Sequence, residues 1–209
     1  MTATMQVRRS IDSRLMRRMI VLFLLMALPG GPWSHTLSQS SPFAQPPSLS
    51  QPSPSGEYLL KAAFLYNFAK FVEWPDAAFD GARGSFTLCI LGVDPFGEMI
   101  ETIEGKTIKG RNLKIKRLRN AAALDGCQIL FISQSERDRL PNIRSLLKEK
   151  PTLTVCDLDG CAERGAMINL VKIDDRIGIE INAATTRRSP LKISSQLFKL
   201  AKIVTNNHQ

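Results

Sequence analysis

The segment CQILFIS, Cys127 to Ser133, most constrains how this chain folds. It carries no charge and is apolar almost throughout, which is the pattern of a strand covered on both faces, as in parallel sheets flanked by helices. Its surroundings fit that architecture. SFTLCILG, Ser85 to Gly92, reads as a second buried strand. Asp94-Pro95 supplies an N-cap and an N1 proline, and predicts a helix from Pro95 to about Ile103. RNLKIKRL, Arg111 to Leu118, alternates like a half-exposed strand. Ser133-Gln134-Ser135-Glu136 has the spacing of a capping box and predicts a helix reaching about Lys150. TLTVCD, Thr152 to Asp157, is a further strand, and AMINLVKI and RIGIEIN form a hairpin across Asp174-Asp175. LKISSQLFKLAKIV, Leu191 to Val204, reads as a closing amphipathic helix. The order implies an α/β fold: a mostly parallel sheet flanked by helices, with an antiparallel hairpin near the C-terminal side.

A helix precedes the first strand. YLLKAAFLYNFAKFVEWP, Tyr58 to Pro75, is aromatic and strongly apolar, yet Lys61, Lys70 and Glu73 lie in it and Glu57 just before it. That is too much charge for a lipid span. At 100° per residue Leu60, Phe64, Leu65, Phe68, Phe71 and Val72 share one arc, opposite Asn67, Lys70 and Glu73. The segment is expected to pack its aromatic face on the core and to end at Trp74-Pro75.

The N-terminal region has a different character. Arg17-Arg18, the apolar run MIVLFLLMAL and then Pro29-Gly30-Gly31 have the layout of a secretory signal peptide. The run is shorter than the ~20 residues that span a bilayer, so an uncleaved anchor is the lesser reading. Ser38 to Glu57 is rich in Ser, Pro and Gln, with too little apolar surface to fold. The organisation expected is a signal peptide over 1–37, a disordered linker over 38–56 and one α/β domain over 57–209. Export follows from the signal.

The net charge of +9 raises the question of nucleic acid. Arg8, Arg9, Arg14, Arg17 and Arg18, against Asp12, belong to the leader, and 23 basic and 18 acidic residues remain without them. Lys106 to Arg119 is loosely basic but has no interleaved aromatics, so nucleic-acid binding is not expected. The four cysteines, Cys89, Cys127, Cys156 and Cys161, suggest disulfides in an exported chain, with three pairings open. Their spacing does not suit zinc, and the two histidines, His35 and His208, lie outside the core of the domain. Neither a metal nor a cofactor is expected. Catalytic sets are equally sparse: there is no G-x-S-x-G, no P-loop and no internal histidine to serve as a base. Asp157, Asp159, Asp174, Asp175 and Glu180 offer carboxylates, but turn formation is the plainer role for the aspartates. A solvated strand face suits Glu180, and Asn182 suits a helix cap. Arg187 and Arg188 sit in an exposed linker by this reading and are the candidates for contact with an acidic partner. The residues alone describe an exported α/β domain that is not an enzyme.

Taken together, the motifs resemble the YfiR family of periplasmic regulators. The resemblance rests on KAAFLYNFAKFVEWP (Lys61–Pro75), LCILGVDPFG (Leu88–Gly97), GKTIKGRNLKIKR (Gly105–Arg117), CQILFISQSE (Cys127–Glu136), LTVCD (Leu153–Asp157), GAMINLV (Gly165–Val171), IEINAA (Ile179–Ala184) and LKISSQLFKLAKIV. It implies a periplasmic repressor that binds the periplasmic sensory domain of an inner-membrane diguanylate cyclase and holds down cyclic di-GMP synthesis. It also implies an outer-membrane, peptidoglycan-associated lipoprotein that sequesters the repressor. A homodimer is compatible with it. It favours the pairs Cys89–Cys127 and Cys156–Cys161. The stretch TTRRSP before the last segment departs from the family, where this region is usually smaller and less charged. The alternative from another class is an exported small-ligand-binding domain serving another membrane sensor, such as a histidine kinase.

Overall fold

The uncharged run after Cys127 becomes the middle of the sheet. Strand Ile129–Ile132 is buried at every position and lies parallel between Phe86–Leu91 and Leu153–Cys156. The computed structural model describes residues 54–79 and 84–206; the expected signal peptide and residues 38–53 of the expected linker lie outside the described residues. In chain order the elements are α1 (Pro54–Phe71), β1 (Val72–Glu73), β2 (Phe86–Leu91), β3 (Thr107–Ile108), β4 (Arg111–Leu118), β5 (Ile129–Ile132), α2 (Leu140–Leu146) and β6 (Leu153–Cys156). There follow β7 (Ile168–Ile173), β8 (Arg176–Asn182), α3 (Ala183–Arg188), β9 (Lys192–Ile193), α4 (Ser195–Lys199) and β10 (Lys202–Val204).

The main sheet has eight strands in the order β10-β8-β7-β6-β5-β2-β4-β3. The run from β7 to β4 is parallel. The β7–β8 hairpin and the short β3–β4 pair are antiparallel, and β10 lies parallel to β8. The fold is therefore α/β, with a mixed and mostly parallel sheet. Strand periodicity sorts side chains into two cores. Leu88, Ile90, Ile129, Phe131 and Val155 face α1, together with Leu65, Phe68 and Phe96. Cys89, Leu91, Leu130, Ile132 and Cys156 face the other way, under Leu140 and Ile143 of α2. The Asp174-Asp175 turn joins the hairpin, and Asp174 takes φ +53 there.

Several local expectations are corrected. The helix expected from Pro95 is a 3-10 segment over Gly97–Ile103, although Asp94 Oδ1 does accept the Phe96 N–H at 2.8 Å. The helix expected after Ser133 is a 3-10 turn, Gln134–Arg139, followed by the short α2; the capping box does not form, because the Ser133 hydroxyl bonds Ser135 instead. Helix α1 stops at Phe71, before Trp74-Pro75, because Val72–Glu73 pairs with β9. Trp74 then anchors the exit, stacking edge-on with Phe86 and donating to the Gln128 carbonyl at 3.1 Å. The closing helix over 191–204 is broken into β9, α4 and β10. Ser194 caps α4 and bonds the Phe71 carbonyl, and the β-branched Ile203 and Val204 pair with Ile181 and Asn182. Short capped pieces here happen to share the spacing of one amphipathic helix.

Cys89 is bonded to Cys127 and Cys156 to Cys161, with Cα separations of 5.8 and 6.6 Å. Both bonds lie in the core away from α1. The first joins residues 38 apart and the second residues 5 apart. Chain-entropy estimates give about 4 kcal/mol for the first and about 2 kcal/mol for the second. Thermal melts should therefore rank Cys89→Ser below Cys161→Ser. Equal melting, or the reverse order, contradicts the loop-length account.

Candidate functional site

Helix α1 carries a charge where its apolar stripe requires a hydrocarbon. Leu65, Phe68 and Val72 are buried, and one turn before them on the same stripe stands Lys61, only 3% exposed. Leu60, expected in the core, is 44% exposed instead, as is Leu59. Helical phase rather than side-chain type decides which of the two neighbours turns inward.

The Lys61 ammonium is met by Asp157, one residue beyond the end of β6, at 2.8 Å. Glu57, one helical turn back, approaches it at 2.6 Å, and the Tyr58 ring lies under it at 4.5 Å. The Tyr58 hydroxyl donates to the same Asp157 oxygen, Oδ2, at 3.0 Å. Glu57 is held in turn by Lys172 of β7 at 3.2 Å. The other Asp157 oxygen, Oδ1, has no hydrogen-bond partner among the described residues. Asp157 is presented by a tightly fixed loop: Cys156 and Cys161 are bonded, and Asn169 Oδ1 accepts the Leu158 N–H at 3.1 Å.

Burial raises the Tyr58 phenol, and the adjacent Asp157 carboxylate raises it further, so Tyr58 remains a donor at neutral pH. Burial also pushes Glu57 upward, but its bonds and ion pairs with Lys61 and Lys172 outweigh this and hold it below 4.5.

The other carboxylates named from sequence do not form a pair here. Glu180 is nearly buried and accepts from Asn169 Nδ2 and Lys202 Nζ. Asp159 is exposed in the loop, and Asp174-Asp175 form the exposed hairpin tip. Asn182 caps α3, accepting the Thr185 N–H at 2.8 Å. Arg187 and Arg188 do not lie in a linker: they form the exposed last turn of α3.

In sheets of this order, ligands commonly sit at the carboxyl ends of the strands where the chain reverses direction, here between β2 and β5. That crevice is filled by the protein. Gly92, at φ +91, packs against the Ser133 and Ser135 hydroxyls and leaves no room for a Cβ. Ser135 takes the Val93 N–H at 2.9 Å. Among the described residues no metal-binding cluster occurs, and no helix is long and apolar enough to cross a membrane.

The sequence reading missed the seat of Lys61. The only signal for it was the placement of Glu57 and Lys61 four residues apart; Asp157 lies 96 residues away.

The seat makes two predictions. Lys61→Met leaves Asp157 buried without its partner and should cost about 3 kcal/mol or more in chemical denaturation, whereas Lys61→Met/Asp157→Asn should recover much of the loss. Additive losses in the double variant contradict the pairing. For Glu57, a depressed folded-state pKa means that its stabilisation is present above pH 4.5 and is lost as pH falls through the folded value. Glu57→Gln should therefore lower stability at neutral pH and shrink the difference from the wild type on acidification below that point. A difference that stays constant with pH removes Glu57 from the account.

No curated protein matches the chain. Among solved structures it is similar to the ABC domain in complex with L-Trp from Streptococcus pneumonia, at 9% identity and a TM-score of 0.44, over 66% of this chain and 59% of that one. A likeness at that level carries no argument. The YfiR/HmsC-like family model matches residues 58–202, from Tyr58 in the seat to Lys202 on the last strand. The chain thus belongs to the YfiR/HmsC-like family.

Proposed function

We propose that this protein is an inhibitory subunit: it binds the periplasmic sensory domain of an inner-membrane diguanylate cyclase and represses cyclic di-GMP synthesis. The family match over residues 58–202 carries this reading. The mechanism is a population shift. The repressor binds the inactive arrangement of the sensory domain more tightly than the active one, and it moves the equilibrium only by that difference in affinity. An outer-membrane, peptidoglycan-associated lipoprotein that captures the free repressor would restore synthesis by mass action. The disulfides suit an oxidising compartment.

Arg187 and Arg188 are our candidates for the contact. They share the exposed final turn of α3 and have no carboxylate partner among the described residues. Such a pair suits an acidic patch on the partner, where charge complementarity governs encounter and register. Exposed Leu59 and Leu60 supply apolar surface on another part of the molecule.

Deleting the gene should raise cyclic di-GMP and surface attachment, and deleting the cyclase gene as well should abolish the rise. Arg187→Glu should weaken the complex with the cyclase's periplasmic domain by roughly tenfold, in line with a like-charge contact, while leaving the melting temperature unchanged. An unchanged cyclic di-GMP level after deletion, together with no complex, would overturn the cyclase assignment and turn attention to a histidine-kinase sensor.

A further inference from the structure

On the face of the sheet opposite α1, a cavity of about 570 Å³ opens between α2, the Thr152–Thr154 segment and the end of α3. The volume falls within the range of about 300–1,000 Å³ typical of small-molecule sites. It plays no part in the seat of Lys61, and of its lining the repressor reading uses only Arg188.

Its chemistry is two-sided. The floor is aliphatic, with Ile143, Leu147, Ala166 and Met167 among its lining. Among the described residues no aromatic side chain lines it. A nucleobase or other flat ring would find no stacking partner there, whereas a flexible alkyl chain would find continuous hydrocarbon. The rim is cationic: Arg144, Lys148, Lys150 and Arg188 all line the cavity, against one acid among the described residues, Glu149. Lys150 is engaged by Asp125, but Lys148 and Arg188 have no carboxylate partner among the described residues. Arg144 is held in place without one, its guanidinium packed over Gly165, where a Cβ would collide with it, and donating to the Arg164 carbonyl.

One polar group is left over inside. Thr185 lines the cavity, and its hydroxyl is buried and has no hydrogen-bond partner among the described residues. A buried hydroxyl without a partner is costly, and native proteins rarely keep one without a use.

We propose that this cavity binds an amphipathic organic anion, with an alkyl body on the aliphatic floor and a carboxylate head among Arg144, Lys148 and Arg188, within reach of the Thr185 hydroxyl. The inference goes beyond the repressor reading, and its test needs no cyclase. Decanoate, below micelle-forming concentrations, is the probe, with decanol and acetate as controls, titrated calorimetrically into the purified protein. The expected result is a single site for decanoate, weakened by salt, with decanol and acetate each weaker by roughly tenfold or more. Lys148→Gln/Arg188→Gln should weaken decanoate by at least about tenfold without lowering the melting temperature. Thr185→Val should also weaken binding, yet leave the melting temperature of the free protein equal or higher, because the unpartnered hydroxyl is gone. Absence of decanoate binding, decanol binding as tightly as decanoate, or unchanged affinity in the double variant would each overturn the proposal.

Discussion

The docking of α1 turns on one buried ion pair, Lys61 with Asp157. Removing two charges from water is expensive, and the pair is tolerable only because Glu57, the Tyr58 hydroxyl and the Tyr58 ring complete its surroundings. An apolar stripe alone can slide by a turn along a sheet, since every third or fourth residue looks alike. A charge that must meet one carboxylate cannot. The pair therefore places one particular turn of α1 above the end of β6, and the aromatic stripe that follows is set with it.

The two faces of the sheet are secured by different means. The face under α1 holds the aromatic core and no disulfide, and its polar centre is the Lys61 seat. The other face holds both disulfides and the short α2, with a cavity beside it. The Cys156–Cys161 loop connects the two, because Asp157 lies inside it. Covalent fixation on one face thus supports the electrostatic seat on the other.

The layered fold was legible because its strands announce themselves. Arg111–Leu118 alternates and is a strand over that span, and the Asp174-Asp175 turn marks the hairpin. Short-range periodicity failed wherever a distant partner decided the outcome. Leu60 and Lys61 are adjacent, and only Asp157, far along the chain, explains why the lysine is the one buried. The C-terminal run looks like one helix because its apolar spacing is helical, but β1 and β8 claim its two ends. Glu180 looks solvated in the strand pattern because its partners, Asn169 and Lys202, come together only when β7, β8 and β10 assemble. The cavity between α2 and α3 left no local signature, since its lining is drawn from segments more than 50 residues apart.

Membership of the YfiR/HmsC-like family is what supports the proposed role, a protein that works by occupying another protein. The most direct measurement is cyclic di-GMP synthesis by the proposed partner cyclase in membrane vesicles whose periplasmic side is exposed to the purified protein. The account predicts a saturable fall in synthesis whose midpoint matches the dissociation constant for the isolated periplasmic domain. Synthesis that stays constant while that domain is saturated would contradict it.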